Sequence, residues 1–412
     1  MERKEAMKSE EKVEIFDYGA YEQEAIQQLK EGKALEGKDG ILAPVIKRLV
    51  EASLEGELDA HLQGDPSANR RNGKMSKRVK TGVGIVDIHT PRDRNSSFEP
   101  RTLPKRRTVL GEALDHKVLN LYARGMSYRD ICDHLEELYG LIVSPSSLSA
   151  ITDRIVEDVK EWQSRPLESV YTLVWLDAIH YKVRDHGSIR TKAVYCVIGL
   201  NREGIKDLLG LYIAESEGAR FWLSVLTDLQ NRGVRDMLIV CIDNLKGFAE
   251  AVESIFPDST VQLCIIHQIR QSTRYVASKD RKEVMDSLKN IYQAPTLQQA
   301  EIGLSEFKER WNEKYPYMVK SWFANWPRLS SYLSYPKDIR RVMYTTNMIE
   351  SFHSQLRKVT KSKRVFTSDQ SLLKLLFLVY QNLKNGWTGP INGWKLTYAQ
   401  LMILFEERML KP

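Results

Sequence analysis

Residues 170–182 read VYTLVWLDAIHYK, and residues 237–243 read MLIVCID. Each is a short run of β-branched and aromatic side chains carrying one aspartate, the composition of a buried strand. The aspartates are the anomaly. Asp177 is flanked by Val174, Trp175, Leu176 and Ala178, and an unpaired charge in such surroundings is costly. A metal ion is one partner that removes the cost; an exposed strand end is the other reading. Asp243 precedes Asn244-Leu245-Lys246-Gly247. It is either the N-cap of the next helix or a ligand at a strand end, where sites form in open α/β sheets.

Outward from these runs the pattern is regular. Strands are expected at Val170–Tyr181, Lys192–Leu200 and Asp207–Ala214, with turns at Asp185–Gly187 and Asn201–Gly204. A helix (Ala219–Arg232), a strand (Met237–Ile242), a helix (Phe248–Phe256) and a strand (Val261–Ile266) follow. Three strands and then α-β-α-β is the order of a ribonuclease H-like α/β fold. In that order the first and fourth strands are central neighbours, so Asp177 and Asp243 meet across the sheet. Residues 270–344 read as an all-helical insertion, on stripes of Val284, Leu288 and Ile291 and of Ala300, Leu304, Phe307 and Trp311.

A third carboxylate, Glu350 in YTTNMIESFHSQLRK, opens a basic amphipathic helix. Glu350, His353, Ser354, Arg357 and Lys361 share one face; Ile349, Phe352, Leu356 and Val359 share the apolar side. Asn347 to Glu350 also reads as a capping box, which would leave Glu350 with a purely structural role. Carboxylates distant in sequence but joined by a fold can hold a pair of hard cations, the usual device for attacking a phosphodiester. Arg357 and Lys361, on the same face as Glu350, suit a DNA backbone. Cys264-Ile-Ile-His267 is a lone CxxH; no second pair supports zinc, and His267 is expected at a strand end near the site, donating to phosphate or orienting a carboxylate.

The front of the chain is built differently. The 412 residues carry a formal charge of +7, and residues 70–107 hold twelve Lys/Arg against Asp87, Asp93 and Glu99, or +9, so the remainder sums to +7 − 9 = −2. A basic block beside a near-neutral body points to a polyanion partner. Residues 69–107 read as an extended arm with a small hairpin around Val83–Ile85–Asp87, preceded by a helix near Val45–Leu62. Arg70, Arg71, Lys74, Lys77, Arg78 and Lys80 are its expected DNA contacts, with a solvated linker as the plain alternative.

Helices are then expected from Gly111 to Gly125, and from Tyr128 to Tyr139 with Tyr128, Ile131, Leu135 and Leu138 on one face and Gly140 as the stop. Ser144-Pro145 opens a further helix that buries Leu148, Ile151, Ile155 and Val159. It presents Ser146, Ser147, Ser149, Thr152 and Arg154 outward. Helix, short turn and polar-faced helix is the helix-turn-helix pattern, although an ordinary helical connector reads the same way. Ser146, Ser147, Ser149 and Arg154 are the expected base or phosphate contacts.

The four cysteines form no CxxC pair; Cys196, Cys241 and Cys264 fall in expected strands, as small core residues of a reducing cytoplasm. Neither a signal peptide nor a membrane span is expected.

Several stretches in order carry a resemblance: PRDRNSSFEPRTLPKR, GMSYRDICDHLEELYG, VSPSSLSAITDRI, WLDAIHYKVR, IDNLKGFAEAVESIFP, QLCIIHQIR, TTNMIESFHSQLRKVTK and GWTGPINGWKL. Together they resemble bacterial Mutator-type insertion-sequence transposases over nearly the whole chain. The resemblance implies a DDE triad of Asp177, Asp243 and Glu350, with Cys264 and His267 as an accessory C-x2-H element. It implies Mg²⁺, with Mn²⁺ as the alternative, and a ribonuclease H-like core with a helical insertion. The expected organisation is a basic N-terminal region (1–107), a helix-turn-helix domain (108–165) and a catalytic domain (166–412). The expected substrate is double-stranded DNA, both terminal inverted repeats and target, bound by a homodimer or larger assembly at the bacterial nucleoid. A stand-alone metal-dependent nuclease and a non-catalytic DNA-binding protein on the same fold are the competing readings.

Overall fold

The computed structural model describes residues 17–36, 40–65, 69–81, 84–105, 113–139, 141–215, 218–344 and 348–410. Gly111, Val83, Gly140 and Asn347, singled out above as a helix start, a strand residue, a helix stop and a cap, lie outside the described residues. The chain divides into two compact units, residues 1–122 with 126–152, and residues 123–125 with 153–412.

In the first unit, helix α1 (Tyr18–Lys30) precedes α2 (Ala43–Gly64) and the antiparallel strands β1 (Arg71–Thr81) and β2 (Gly84–Asp93). The expected small hairpin is longer than the sequence suggested, and it is not an open arm. Val79, Val86 and Ile88 pack with Val50 and Leu54 of α2 and with Leu103 in one apolar cluster. Helices α3 (Ala113–Ala123), α4 (Tyr128–Tyr139) and α5 (Pro145–Asp153) follow. Ile131 and Leu135 of α4 are buried as expected, whereas Leu138 is 53% exposed. Ser144 caps α5, its Oγ accepting from Ser147 N at 3.2 Å. Thr152, expected outward, is buried; its hydroxyl donates to the Ser149 carbonyl at 3.0 Å and meets the Tyr128 hydroxyl at 2.6 Å. Ile151 is only half-buried, and the helix expected to continue through Val159 breaks at Arg154 before α6 (Ile155–Ser164).

The second unit is a mixed α/β domain. Its strands are β3 (Val170–Asp185), β4 (Ser188–Leu200), β5 (Lys206–Ala214), β6 (Asp236–Ile242) and β7 (Thr260–Leu263), in the sheet order β5-β4-β3-β6-β7. β3 and β4 are antiparallel, as are β4 and β5; β3–β6 and β6–β7 are parallel. Every residue from Val170 to Asp177 is buried. Both sheet faces are therefore covered at this point, which explains a continuous apolar run where a half-exposed strand would alternate. Helices α7 (Ala219–Asn231) and α8 (Phe248–Ile255) contact each other and the sheet. The arrangement is consistent with a ribonuclease H-like core.

β7 stops at Leu263, so Cys264 is not a strand residue. It caps α9 (Ile265–Thr273) and places His267 in that helix's first turn. Helices α10 (Arg281–Tyr292), α11 (Leu297–Trp311), α12 (Pro316–Leu329) and α13 (Lys337–Tyr344) fill the stretch read as an insertion, and their buried residues include both expected stripes. Helices α14 (Met348–Thr360), α15 (Asp369–Lys384) and α16 (Trp394–Leu410) complete the unit, with α14 packed on β3 and β4.

Two glycines fix turns in different ways. His186 and Gly187 close the β3–β4 hairpin with φ of 44° and 81°. That is the two-residue turn whose twist matches the strands. A Cβ at Gly187 would meet nothing within 4 Å. Gly204, at φ 76°, lies under Trp394, and a Cβ there would come within 2.3 Å of the indole. Gly187→Ala should therefore cost about 1 kcal/mol through backbone strain alone. Gly204→Ala should cost about 2–4 kcal/mol, because the Trp394 packing must also give way. Urea unfolding of both variants measures the difference; equal costs would show that the Trp394 contact yields freely.

Candidate active site

The register of the central strands builds the site. β3 and β6 pair in parallel up to Trp175 opposite Cys241. Two residues further on, the same register sets Asp177 level with Asp243. Neighbouring strands run about 4.8 Å apart, so the two carboxylates open into one space. They line a cleft with Cys264 and His267 from the start of α9 and Ile349 from α14. Its free volume of about 50 Å³ admits ions or a few waters and no nucleotide.

The electrostatics of this cleft are unfavourable for a bare carboxylate. Burial, then the charge of Asp243, and then that of Glu350 push Asp177 up to about 7, against the Ala178 N–H that bonds its Oδ1 at 2.8 Å. Asp243 is also raised by burial, while His267 and the Leu245 N–H, which bonds its Oδ1 at 3.2 Å, hold it down. Cys264 and Asp243 raise His267 against its own burial. The third carboxylate is turned aside: Glu350 Oε1 pairs with Arg270 of α9 at 2.9 Å. Among the described residues no group of three or more His, Cys, Asp or Glu stands close enough together to hold a metal ion, and this pairing of Glu350 is consistent with that. Asp177 and Asp243 nonetheless fit a hard divalent cation. They supply two carboxylates in a buried cleft where each raises the cost of the other's charge, and Mg²⁺ is often bound by only one or two carboxylates.

His353 departs from the sequence reading. Placed above on the polar face, it is 2% exposed. Its Nδ1 lies 3.5 Å from Asp177 Oδ2, and its buried Nε2 has no hydrogen-bond partner among the described residues. Burial, then Arg357 and His267, lower it to about 3, so the ring is neutral behind Asp177. Ser354 and Arg357 are exposed on α14, as is Lys361 just beyond it.

The expected cations of the N-terminal region are less available than their count suggested. Arg71 pairs with Glu55 and Asp59, Lys74 with Glu55 at 2.8 Å, and Arg78 with Asp87 at 3.3 Å. Lys77 donates to the Pro104 and Lys105 carbonyls, both at 2.9 Å, and Lys80 to the Ile142 carbonyl at 2.6 Å. Arg70 is exposed, as are Ser146, Ser147 and Arg154; Ser149 is half-buried.

The sequence model of one family, described as "Transposase, Mutator family", matches residues 20–389. The chain belongs to the Mutator family of transposases. Among its Mutator-family relatives, the transposase for insertion sequence element ISRM3 of Rhizobium meliloti is 42% identical over 94% of this chain and 99% of its own length. A probable ISRM3-like transposase of Sinorhizobium fredii is 42% identical over the same shares. A probable insertion-sequence transposase of Corynebacterium diphtheriae is 42% identical over 77% of this chain and 98% of its own. A cryoEM structure of the simian T-cell lymphotropic virus intasome with a PP2A regulatory subunit aligns with 39% of this chain and 50% of its own at 12% identity, and its TM-score of 0.18 carries no argument. Among the described residues no helix is long and apolar enough to cross a membrane.

Sequence reading missed two neighbours of the carboxylates, Arg270 beside Glu350 and the buried His353 beside Asp177. Arg270 stands three residues after His267, one helical turn along the same face, and that spacing was the available signal. His353 gave none, because a helical wheel does not reveal how far a neighbouring strand overlaps the helix.

The pH dependence of stability tests the burial of Asp177. Its ordinary value is 3.8 and its folded value about 7. Between those values the folded chain keeps a proton that the unfolded chain has released, so stability falls as pH rises through the window and the full penalty stands above it. Asp177→Asn should therefore stabilise the metal-free protein at pH 8 by about 2–4 kcal/mol and change little near pH 4. Urea midpoints in EDTA at the two pH values decide it. Equal gains at both would exclude burial of charge as the cause.

Proposed function

We propose that the chain is a DDE-type transposase with a ribonuclease H-like core that cuts DNA at the ends of an insertion sequence and joins the freed 3′-OH to target DNA. One observation carries the reading. In a chain of this family, Asp177 on β3 and Asp243, the residue just past the end of the neighbouring parallel strand β6, line one buried cleft, with Glu350 close enough to act on Asp177 electrostatically. Asp177, Asp243 and Glu350 are the proposed triad, and Mg²⁺, or Mn²⁺ in its place, is the proposed cofactor. Bound there, the cation would lower the pKa of the attacking hydroxyl and offset charge building on the phosphate.

The remaining roles belong to the chain's own groups. Asp177 and Asp243 supply the fixed donors, and neutral His353 backs Asp177 without adding charge. Arg270 is the natural partner for a phosphate of the incoming strand; once engaged there it releases Glu350 toward the two aspartates. His267, with Cys264 beside it, donates to a phosphate oxygen. Arg357 and Lys361 continue the phosphate track along α14. In the first unit, α4 and α5 form the proposed helix-turn-helix, with Ser146 and Ser147 nearest base edges, Ser149 partly withdrawn and Arg154 at a phosphate or guanine. The hairpin cations Arg70, Arg71, Lys74, Lys77, Arg78 and Lys80 reach DNA to the extent that phosphate displaces their present partners. Two ends must be cut and joined together, so the working form is a homodimer or larger assembly on DNA.

Strand-transfer assays on a terminal-repeat duplex test the proposal and separate its competitors. A stand-alone nuclease cuts without joining, and a non-catalytic relative binds without cutting. Asp177→Asn, Asp243→Asn and Glu350→Gln should each lower cutting and joining at least about 1000-fold, since each removes an anionic ligand worth several kcal/mol of transition-state stabilisation. End binding should stay within about twofold, because phosphate contacts elsewhere supply it. Near-normal joining by Glu350→Gln would move the third ligand elsewhere and leave Glu350 a helix-capping residue.

A further inference from the structure

Two tyrosines on the helical stretch between β7 and α14 have no part in the chemistry above. Tyr275, just past the end of α9, is 79% exposed, and Tyr317, in the first turn of α12, is 89% exposed. Both line one groove, together with Gln271, Lys314, Tyr315 and Met318. Its volume of about 710 Å³ lies within the roughly 300–1,000 Å³ of clefts that take small planar ligands. Among the described residues no acid lines the groove. Residues 270–282 carry Arg270, Arg274, Lys279, Arg281 and Lys282 against the single acid Asp280, and Asp280 is already held by Lys314 at 2.6 Å and the Tyr315 hydroxyl at 2.5 Å. The Arg274 guanidinium lies over the Tyr275 ring, 5.5 Å from its centroid, so this ring already carries a flat cation on its π-system. Aromatic rings beside cations are the elements that hold an unpaired base, the ring stacking and the cation meeting phosphate.

Helix α9 ties this groove to the cleft. It begins after Cys264 with His267 in its first turn at the cleft, carries Arg270 one turn later and ends at Thr273, with Arg274 and Tyr275 following directly. At 1.5 Å per residue, His267 and Arg274 are roughly 10 Å apart along the helix. A DNA strand stacked as in a duplex advances about 3.4 Å per nucleotide, so the separation matches about three stacked nucleotides.

We infer that the Tyr275–Tyr317 groove binds one unpaired nucleobase of the DNA strand that leaves the cleft along α9, about three nucleotides from the reacting phosphate. The inference rests on the reading of the cleft as a DNA-cutting site. A protein partner fits less well, because interface cores shed charge, whereas Lys314 lines this groove and Arg274 sits on the ring of its Tyr275.

The test uses the full chain and a forked duplex with one single-stranded arm, carrying 2-aminopurine at successive positions, in EDTA so that no cutting occurs. The probe should be quenched on binding at about the third position. Tyr275→Ala or Tyr317→Ala should abolish the quenching and weaken forked-DNA binding about 5- to 100-fold while leaving fully paired duplex unaffected. Tyr→Phe at either position should preserve both signals, since the ring and not the hydroxyl stacks. Both rings are exposed, so these variants keep the fold. Equal losses on forked and paired DNA, quenching that survives both alanine variants, or a change in self-association with unaltered quenching would each overturn the inference. Cutting by wild type, assayed separately with Mg²⁺, keeps the two readings apart. A chain that cuts without tyrosine-dependent quenching loses this inference alone, and one that quenches but never cuts loses the proposed reaction.

Discussion

Asp177 sits at the centre of the sheet with like charge on two sides, and much of the second unit is arranged around that cost. A carboxylate buried near two others is raised by desolvation and by repulsion together, and its value of about 7 records both. The sheet order creates the problem, because the parallel pairing of β3 and β6 brings a second aspartate level with the first. The same order supplies the means of relief. α9 starts immediately after β7 and brings His267 to Asp243 and Arg270 to Glu350, while α14 places an uncharged His353 against Asp177.

The Arg270–Glu350 pair is well suited to a temporary role. Arg270 is 60% exposed although Glu350 Oε1 is buried, and an ion pair open to water on its cationic side contributes at most about 1 kcal/mol. A competing phosphate, which offers a guanidinium two oxygens in one plane, exceeds that readily. A deeply buried pair would resist, since separating it strands a desolvated charge. Lys192 shows the contrast: it is 6% exposed and held between Asp185 at 3.1 Å and Asp369 at 2.8 Å, which suits a permanent tie.

What the sequence revealed follows from how each feature is encoded. β3 and β6 were legible because burial on both faces leaves an unbroken apolar run, and a charge within such a run is conspicuous. The strand order gave the meeting of Asp177 and Asp243, since only the neighbour relation was needed. Features that depend on where an element stops were less legible. Val261–Ile266 reads as one strand, yet the chain turns into a helix after Leu263, because Ile265 and Ile266 are apolar in either state and periodicity cannot separate a short strand from a helix's first turn. His353 and Thr152 were placed on outward faces by helical periodicity alone. Each is buried by a neighbour from elsewhere in the chain, Asp177 in one case and Tyr128 in the other.

The hairpin shows the limit of reading charge as a surface property. Its excess of Lys and Arg is real, but two of the acids that answer it, Glu55 and Asp59, lie on α2, outside the window in which the charges were counted. Glu55 alone engages both Arg71 and Lys74. Lys77 and Lys80 spend their charge on backbone carbonyls, which a local charge sum never registers. The free positive potential of the hairpin is therefore smaller than +9 and depends on whether a polyanion displaces these partners. The stretch at Tyr275 obeys the same rule: its one acid, Asp280, is occupied by Lys314 and Tyr315, while of its cations Arg270 is engaged by Glu350 and Arg281 by the Thr273 carbonyl at 3.5 Å. In both places accessible charge and not total charge is the signal for DNA contact, because it sets how many counterions a phosphate backbone releases.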